Sequence, residues 1–232
     1  MKTRKLGLIV LFLSLLGVGI CARGQTLRTI YTFANTNGAF PQSGLTAAGD
    51  GNYYGTTYSG GLAYLGTVYR VSQAGQITTI ISFTGTNGAN PMGGLTLGKD
   101  GFLYGTTEFG GPTFGGPTNL SYPDGAGTVF KMSTNGQLTT VAYFNSTNGS
   151  QPCAAMILAN DGCLYGTTLY GGVRNMGTVY KVGANGVFQS LASLTNGSYP
   201  YFPLVQNTDG VLYGTASAGG AGGNGTVFRF GP

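Results

Sequence analysis

Short runs rich in Val, Leu, Thr, Tyr and Phe alternate along the chain with polar stretches that contain Gly, Asn or Asp. Runs of this length and composition predict β-strands rather than helices. One set of four runs occupies residues 94–98, 102–107, 127–133 and 137–144, and we call these strands A, B, C and D. They predict a four-stranded antiparallel meander.

The same phrase is spelled four times, as "DGNYYGTT", "DGFLYGTT", "DGCLYGTT" and "DGVLYGTA". Its central tyrosines, Tyr54, Tyr104, Tyr165 and Tyr213, are 50, 61 and 48 residues apart, and the long interval reflects an insertion before Gly127. A period near 50 residues is typical of propeller blades. A four-stranded unit repeated four times therefore predicts an all-β fold, a four-bladed β-propeller of four-stranded antiparallel blades.

The turns between strands also repeat. Each A to B connection contains Asp-Gly, at Asp50, Asp100, Asp161 and Asp209. We interpret these as two-residue type I′ turns in which the aspartate makes local hydrogen bonds. Similar short turns join C to D. Since A descends and B returns, all of these tight turns share the bottom face, and the longer D to A and B to C loops share the top face.

The two ends of the repeat array are complementary. The fourth unit contains strands A, B and C but no D, whereas residues 26–33, "TLRTIYTF", have the sequence of a D strand. We expect residues 26–33 to pair with residues 225–230, so that the N-terminal strand closes the last blade and the ring. Closure would hide apolar surface worth on the order of 10 kcal/mol.

The first 24 residues are typical of a signal peptide. A basic start precedes a 15-residue apolar run at residues 6–20, which is short for a membrane span. Cleavage after Gly24 leaves one domain, residues 25–232, with no stable membrane insertion. We expect it to be secreted, periplasmic or on the cell surface. A lipid anchor on Cys21 and an uncleaved membrane anchor remain as alternatives.

Composition excludes several function classes. The signal peptide holds four of the 11 Lys and Arg residues, so the mature chain has 7 basic against 6 acidic residues and no basic run. Nucleic acid is therefore not an expected partner. The chain has no His, which excludes Ser-His and Cys-His nucleophiles and His-based metal sites. We expect no cofactor.

The motifs "LYGTT", "GTVF" and "DG", with a spacing near 50 residues over residues 26–230, resemble the Gloeo/Verruco (GloVer) tandem repeat family of exported bacterial proteins, often called choice-of-anchor tandem repeat proteins. The resemblance implies export, and it attaches no general activity to the repeat. Family members commonly carry a surface-sorting segment after the repeats. Since none follows here, the resemblance favours secretion or periplasmic residence over surface anchoring.

Candidate functional residues lie in the top loops, because loops on a rigid scaffold usually carry binding residues. After the turn aspartates are set aside, the acidic residues are Glu108 and Asp124. A carboxylate pair could serve glycoside hydrolysis, but two acids in one loop region are more typical of surface, and we expect no enzyme. Our leading interpretation is a monomeric module that binds a glycan or an envelope protein, with a structural spacer and a carbohydrate-active enzyme as alternatives. The candidate ligand-binding residues are Tyr58, Tyr64, Glu108, Phe109, Phe114, Tyr122, Asp124, Tyr170 and Arg174.

Three further features have structural interpretations. Cys153 and Cys163 would lie roughly 23 Å apart along the ladder, too far for a disulfide. The "LYGTT" tyrosines should pack between blades, and the following glycine should allow close approach. One basic residue per unit follows "GTV[FY]", and these could form an anion-binding ring or, as we favour, satisfy groups within their own blades. They are Arg70, Lys131, Lys181 and Arg229.

Overall fold

The computed structural model describes residues 27–115 and 124–231. Within these ranges the chain contains strands and one 3-10 turn, Asn35–Asn37, and no α-helix. No helix in the described ranges is long and apolar enough to span a membrane. The all-β prediction is therefore confirmed.

The strands form one sheet for each repeat unit. Sheet 1 contains β1 (Thr46–Ala47), β2 (Tyr53–Thr57), β3 (Thr67–Val71) and β4 (Ile77–Ser82). Sheet 2 contains β5 (Thr96–Leu97), β6 (Leu103–Thr107), β7 (Thr128–Met132) and β8 (Leu138–Tyr143). Sheet 3 contains β9 (Ile157–Leu158), β10 (Leu164–Thr168), β11 (Thr178–Val182) and β12 (Phe188–Ser193).

The fourth unit differs from the others. Sheet 4 has three strands, β14 (Val205–Gln206), β15 (Leu212–Ala216) and β17 (Thr226–Phe230). Above it, β13 (Gly197–Ser198) and β16 (Ala218–Gly219) form a two-stranded ribbon. All neighbouring strands are antiparallel and follow sequence order within sheets 1 to 3. The predicted meander is thus confirmed in the first three units.

The tight turns differ from the predicted type I′ form. In the second unit Gly98 donates to the carbonyl of Phe102 at 2.9 Å, so the loop has three residues rather than two. Gly101 has a φ of 80°, whereas Asp100 does not lie in the positive-φ region. The backbone N–H of Phe102 donates to Asp100 Oδ1 at 3.3 Å. The two-residue interpretation was wrong because the aspartate's side-chain hydrogen bond favours a turn in which only the glycine needs positive φ.

Apolar side chains pack between consecutive sheets. Tyr54 of sheet 1 is fully buried in a cluster with Leu103 and Phe130 of sheet 2, which confirms the predicted packing between units for this tyrosine, whereas Tyr213 of the fourth unit is 37% exposed. A Cβ on Gly55 would lie 2.6 Å from Tyr69 Oη, so this glycine accommodates the ring that crosses it on the next strand of its own sheet. Consecutive sheets therefore pack face to face along the chain.

The predicted closure is wrong. Residues 27–33 form no strand, and among the described residues β17 has no partner on its outer side. Instead the Phe33 ring lies 5.0 Å from that of Tyr69, and a Cβ on Gly75 would lie 3.7 Å from Ile30 Cβ. These apolar contacts hold the segment against sheet 1. Pairing with β17 also depends on the angle between successive sheets, which strand patterns do not encode.

Candidate ligand-binding site

The four D to A loops converge on a shared cavity of about 600 Å³. We call it the central cavity. Each repeat unit contributes an equivalent stretch to its wall, namely residues 42–46, 92–95, 153–155 and 201–203. The lining is mostly small or apolar, because these stretches lead directly into the first strand of each sheet.

Hydrogen bonds between units fix the wall. Thr46 Oγ1 donates to the carbonyl of Leu95 at 2.6 Å, and Thr96 Oγ1 donates in the same way to Met156 at 2.5 Å. Each threonine begins the first strand of one sheet, and each acceptor precedes the first strand of the next. Equivalent threonine hydrogen bonds therefore hold the first unit to the second and the second unit to the third beside the cavity.

The top loops are backbone-paired and strained. The D to A loop of each of the first three units bridges its B to C loop, for example between Ala89 and Phe109. The residue before the loop proline has a positive φ in every unit, with values of 56°, 57°, 55° and 61° at Phe40, Asn90, Gln151 and Tyr199. Such a conformation costs about 1–3 kcal/mol and often accompanies binding sites. Backbone pairing thus holds the loops of the first three units in this conformation.

Glu108 and Tyr58 face each other beside the cavity wall. Burial raises the pKa of the Glu108 carboxyl, and a hydrogen bond from the Tyr58 hydroxyl offsets part of this rise. Burial and then the Glu108 charge raise the pKa of Tyr58 to about 12. Cys153, which lines the cavity, has its thiol pKa raised by burial and then by the Glu108 charge. The carboxylate is thus half-buried next to the cavity.

Three tyrosines form an aromatic wall. The rings of Tyr170 and Tyr199 lie 5.2 Å apart at 76°, and those of Tyr199 and Tyr201 lie 6.5 Å apart at 30°. Tyr201 lines the central cavity and is 42% exposed. Burial, followed by the neighbouring tyrosines, raises the pKa of Tyr170. We call these three tyrosines, together with Tyr58 and Glu108, the rim.

The rim therefore includes three of the residues predicted from sequence, Tyr58, Glu108 and Tyr170. Tyr199 and Tyr201 were missed. Their signal is the sequence "YPYF" in the fourth D to A loop, where the other units carry "FPQS", "NPMG" and "QPCA". The aromatic enrichment was visible, but the prediction favoured the longer B to C loops.

The remaining predicted residues lie elsewhere in the top loops. Tyr64 is 64% exposed, and the Phe114 ring covers Gly85, where a Cβ would lie 2.1 Å from Phe114 Cδ1. Arg174 is exposed and donates to the carbonyl of Thr195 at 3.3 Å.

Phe109 and Asp124 make backbone hydrogen bonds within the top loops. Phe109 pairs with Ala89, and the carbonyl of Asp124 accepts the N–H of Gly110 at 2.7 Å. Tyr122 lies outside the described residues.

The structure also describes the cysteines and two of the basic residues that recur once per unit. Cys153 and Cys163 are free thiols. Lys131 Nζ lies 4.7 Å from the centre of the Phe102 ring in the same sheet, and the Lys181 charge acts on Asp161 of its own unit. Within the described ranges, no three His, Cys, Asp or Glu side chains are grouped so that they could hold a metal ion.

The Gloeobacter/Verrucomicrobia repeat model matches residues 18–117 and again residues 113–232. The chain belongs to this repeat family. The match confirms the resemblance drawn from the "LYGTT" and "GTVF" motifs. No curated protein matches this Gloeobacter/Verrucomicrobia repeat chain.

Solved structures similar to this Gloeobacter/Verrucomicrobia repeat protein are β-propeller-like. Streptogramin B lyase matches with a TM-score of 0.54 and 20% identity, over 85% of this chain and 57% of that one. Virginiamycin B lyase from Staphylococcus aureus gives 0.51 and 16%, over 81% and 55%. An ulvan lyase, a polysaccharide lyase bound to a GlcA(1-4)Rha3S chain, gives 0.50 and 15%, over 85% and 52%. The chain thus spans little more than half the length of these structures.

Proposed function

We propose that this repeat protein is an exported, non-enzymatic module that binds a glycan at the rim of the central cavity. The observation that supports this most directly is the aromatic wall of Tyr170, Tyr199 and Tyr201 beside a cavity of about 600 Å³. Ligand sites are typically concave, mostly apolar and largely preformed, with a few polar groups that orient the ligand. A tyrosine presents a flat apolar ring to a sugar and a hydroxyl to its polar edge.

The charge of Glu108 indicates which sugars the rim should favour. Within residues 27–115 and 124–231, the pKa of Glu108 is affected by burial and by Tyr58, and by no basic side chain. A half-buried carboxylate without a basic partner repels a second carboxylate or a sulfate brought beside it. We therefore expect neutral or amine-bearing sugars to bind more tightly than uronate-containing chains.

The binding test uses purified residues 25–232 and matched neutral, amine-bearing and uronate oligosaccharides in calorimetric titrations. Tyr201→Ala should weaken binding about fivefold, because a lost aromatic contact is worth about 1 kcal/mol. Tyr53→Ala is the control, since Tyr53 is similarly exposed, at 47%. Tyr53 begins β2 directly after the bottom turn, at the end of the strand that is farther from the top loops. Equal effects of the two substitutions, or no binding of any oligosaccharide, would count against the proposal.

Enzymatic activity is tested with the same oligosaccharides. We expect no change in chain length after prolonged incubation with the protein. If the unsubstituted protein shortens an oligosaccharide and Glu108→Gln does not, the protein is a carbohydrate-active enzyme and the proposal of a non-enzymatic module is wrong.

Export is tested by fractionation and by sequencing the N-terminus of the mature protein. We expect the protein outside the cytoplasm, with Gln25 as its first residue. A retained Met1 in the membrane fraction would show an anchor instead.

A further inference from the structure

One valine occupies the same position in the third strand of every unit. Its exposed fraction is 0% at Val68, 0% at Val129, 3% at Val179 and 77% at Val227. In sheets 1 to 3 this valine is paired with a residue of the fourth strand. Among the described residues β17 has no such partner. Sheet 4 therefore has an unfilled position for one more strand.

The segment at residues 27–33 lies where a fourth strand would. Phe33 contacts Tyr69 of sheet 1, with ring centres 5.0 Å apart. At the next boundary Phe83, which follows β4, contacts Phe130 of sheet 2 at 5.3 Å, also edge to face. Residues 27–33 therefore pack against sheet 1 in the same way that β4 and Phe83 pack against sheet 2.

A second contact repeats in the same way. A Cβ on Gly75 would be nearest to Ile30, at 3.7 Å, and a Cβ on Gly136 would be nearest to Ile80 of β4, at 2.6 Å. Both glycines belong to the turn between the third and fourth strands of the following sheet. These two contacts show that residues 27–33 occupy, beside sheet 1, the place that a fourth strand occupies beside the next sheet. The three strands to which such a fourth strand would belong do not precede it in the described residues.

We propose that two copies of this chain associate head to tail, with residues 27–33 of each copy adding as the fourth strand to β17 of the other. In each copy, residues 27–33 remain in contact with sheet 1 of the same copy. Sheet 1 of one copy then packs against sheet 4 of the other copy, in the way that consecutive sheets pack within one chain. The contact is continuous with an interface that the chain already repeats. It also covers an open strand edge, which proteins seldom leave exposed.

The occupant is a second copy rather than the same chain, because the structure holds residues 27–33 on sheet 1 and apart from β17. Size is consistent with this assignment. The chain spans 57% and 55% of two β-propeller-like lyases. Two copies would therefore match slightly more than the full length of either lyase.

The register follows from the repeat. Applying the pairing of β3 with β4 places Tyr31 opposite Val227 and Arg28 opposite Arg229. Like charges directly opposite each other on neighbouring strands destabilise the pair. Association should therefore strengthen as salt rises, contrary to most charged interfaces.

The first experiment measures the mass of residues 25–232 by light scattering across a concentration series. We expect the mass of two chains, and the mass of one chain for Val227→Lys, because strand pairing would bury the lysine. Val173→Lys is the matched control, since Val173 is 89% exposed in a top loop, and it should keep the mass of two. A single-chain mass for the unsubstituted protein at every concentration, an open series of larger masses, or equal dissociation by both variants would overturn the proposal.

A second variant tests the register by tighter association into a two-chain mass, whereas misfolding would give an open series of larger masses. Arg28→Glu should tighten association about two- to fivefold at low salt, because it replaces a like-charge pair by an opposite pair. Arg174→Glu, which changes an exposed arginine in a top loop, should leave association unchanged. Weaker association of Arg28→Glu, or equal tightening by both variants, would overturn the assignment. Neither result bears on glycan binding at the rim.

Discussion

At the scale of single residues, Tyr180 is buried and its hydroxyl has no hydrogen-bond partner among the described residues. The equivalent positions in the second and fourth units are Phe130 and Phe228. An unsatisfied buried hydroxyl costs about 1–3 kcal/mol. We therefore predict that Tyr180→Phe stabilises the protein by about 1 kcal/mol and raises Tm by about 3 °C in thermal unfolding.

The control is the same substitution at Tyr165, whose hydroxyl donates to Asp161 Oδ2 at 2.8 Å. Tyr165→Phe should lower Tm, because it removes a satisfied hydrogen bond worth about 1 kcal/mol. A change of the same sign at Tyr180 and Tyr165 would contradict this account of the buried hydroxyl.

Glu108 should make stability fall as pH rises. Its pKa is raised in the folded state, mainly by burial, so the folded protein binds more protons than the unfolded chain between the ordinary value of 4.5 and the raised value. Stability that is present below 4.5 is therefore partly lost above the raised pKa. Tyr58 and Cys153 also face this carboxyl, and both have pKa values raised well above neutrality, so they stay uncharged through this range.

We predict that Glu108→Gln melts about 2 °C above the unsubstituted protein at pH 7 and at the same temperature near pH 4. Thermal unfolding of both proteins at several pH values measures the difference. A difference that does not change with pH would show that the Glu108 carboxyl is not the titrating group.

Sequence reasoning found part of the rim and missed the rest for an identifiable reason. Glu108 and Tyr170 stand out because they vary among otherwise repeated phrases. Tyr201 varies too, but its importance depends on four D to A loops meeting at one cavity. That meeting is a property of how the sheets are arranged, and no single loop contains it.

At the scale of elements, the turn aspartates hold the A to B connections. Asp50 Oδ1 accepts the backbone N–H of Asn52 at 3.0 Å, and its Oδ2 accepts the Tyr54 hydroxyl at 2.7 Å. Burial acts to raise the pKa of Asp50, but these hydrogen bonds outweigh it, and the pKa lies below its ordinary value of 3.8. The stabilisation is thus present above pH 3.8 and is lost as pH falls through the lowered pKa.

Asp50→Ala should therefore destabilise the protein by about 1–2 kcal/mol at pH 7 and by less near pH 3. Urea unfolding at the two pH values measures both effects. Asp209→Ala serves as the comparison, since Asp209 accepts the N–H of Val211 at 3.0 Å and, among the described residues, no tyrosine hydroxyl, so its loss should cost less. Equal costs for the two aspartates would show that the tyrosine bond adds nothing.

The strands themselves were predicted well, but their register was not. A turn of three residues instead of two moves each partner by one position, and composition alone does not fix this number. The same limit hid a recurring pair of buried threonine hydroxyls. Thr57 and Thr67 lie 2.8 Å apart through their hydroxyls, and equivalent pairs occur in the next two units. Such pairs are visible only once the register is known.

At the scale of the whole molecule, the repeat predicts four similar sheets, and three of them are alike. The fourth has three strands among the described residues, and only its A, B and C runs follow the sequence of the other units closely. Ring closure is a sum of small angles between sheets, and the repeat phrases constrain each sheet far more than the angle to its neighbour. Residues 27–33 form no strand and contact sheet 1, so both the strand and its predicted pairing with β17 differ from the expectation.

This difference predicts a gradient of local stability along the chain. Repeat arrays behave as a series of units stabilised by their neighbours, so the unit with the most exposed edge opens first. In Val227→Lys, which we expect to be a single chain in solution, amides of β17 should exchange with deuterium at least tenfold faster than those of β3, β7 and β11. In the unsubstituted protein at high concentration the added strand should slow β17 toward the other three. Uniform exchange of all four strands in Val227→Lys would mean that the outer strand contributes little, and that sheet-to-sheet packing alone holds each unit together.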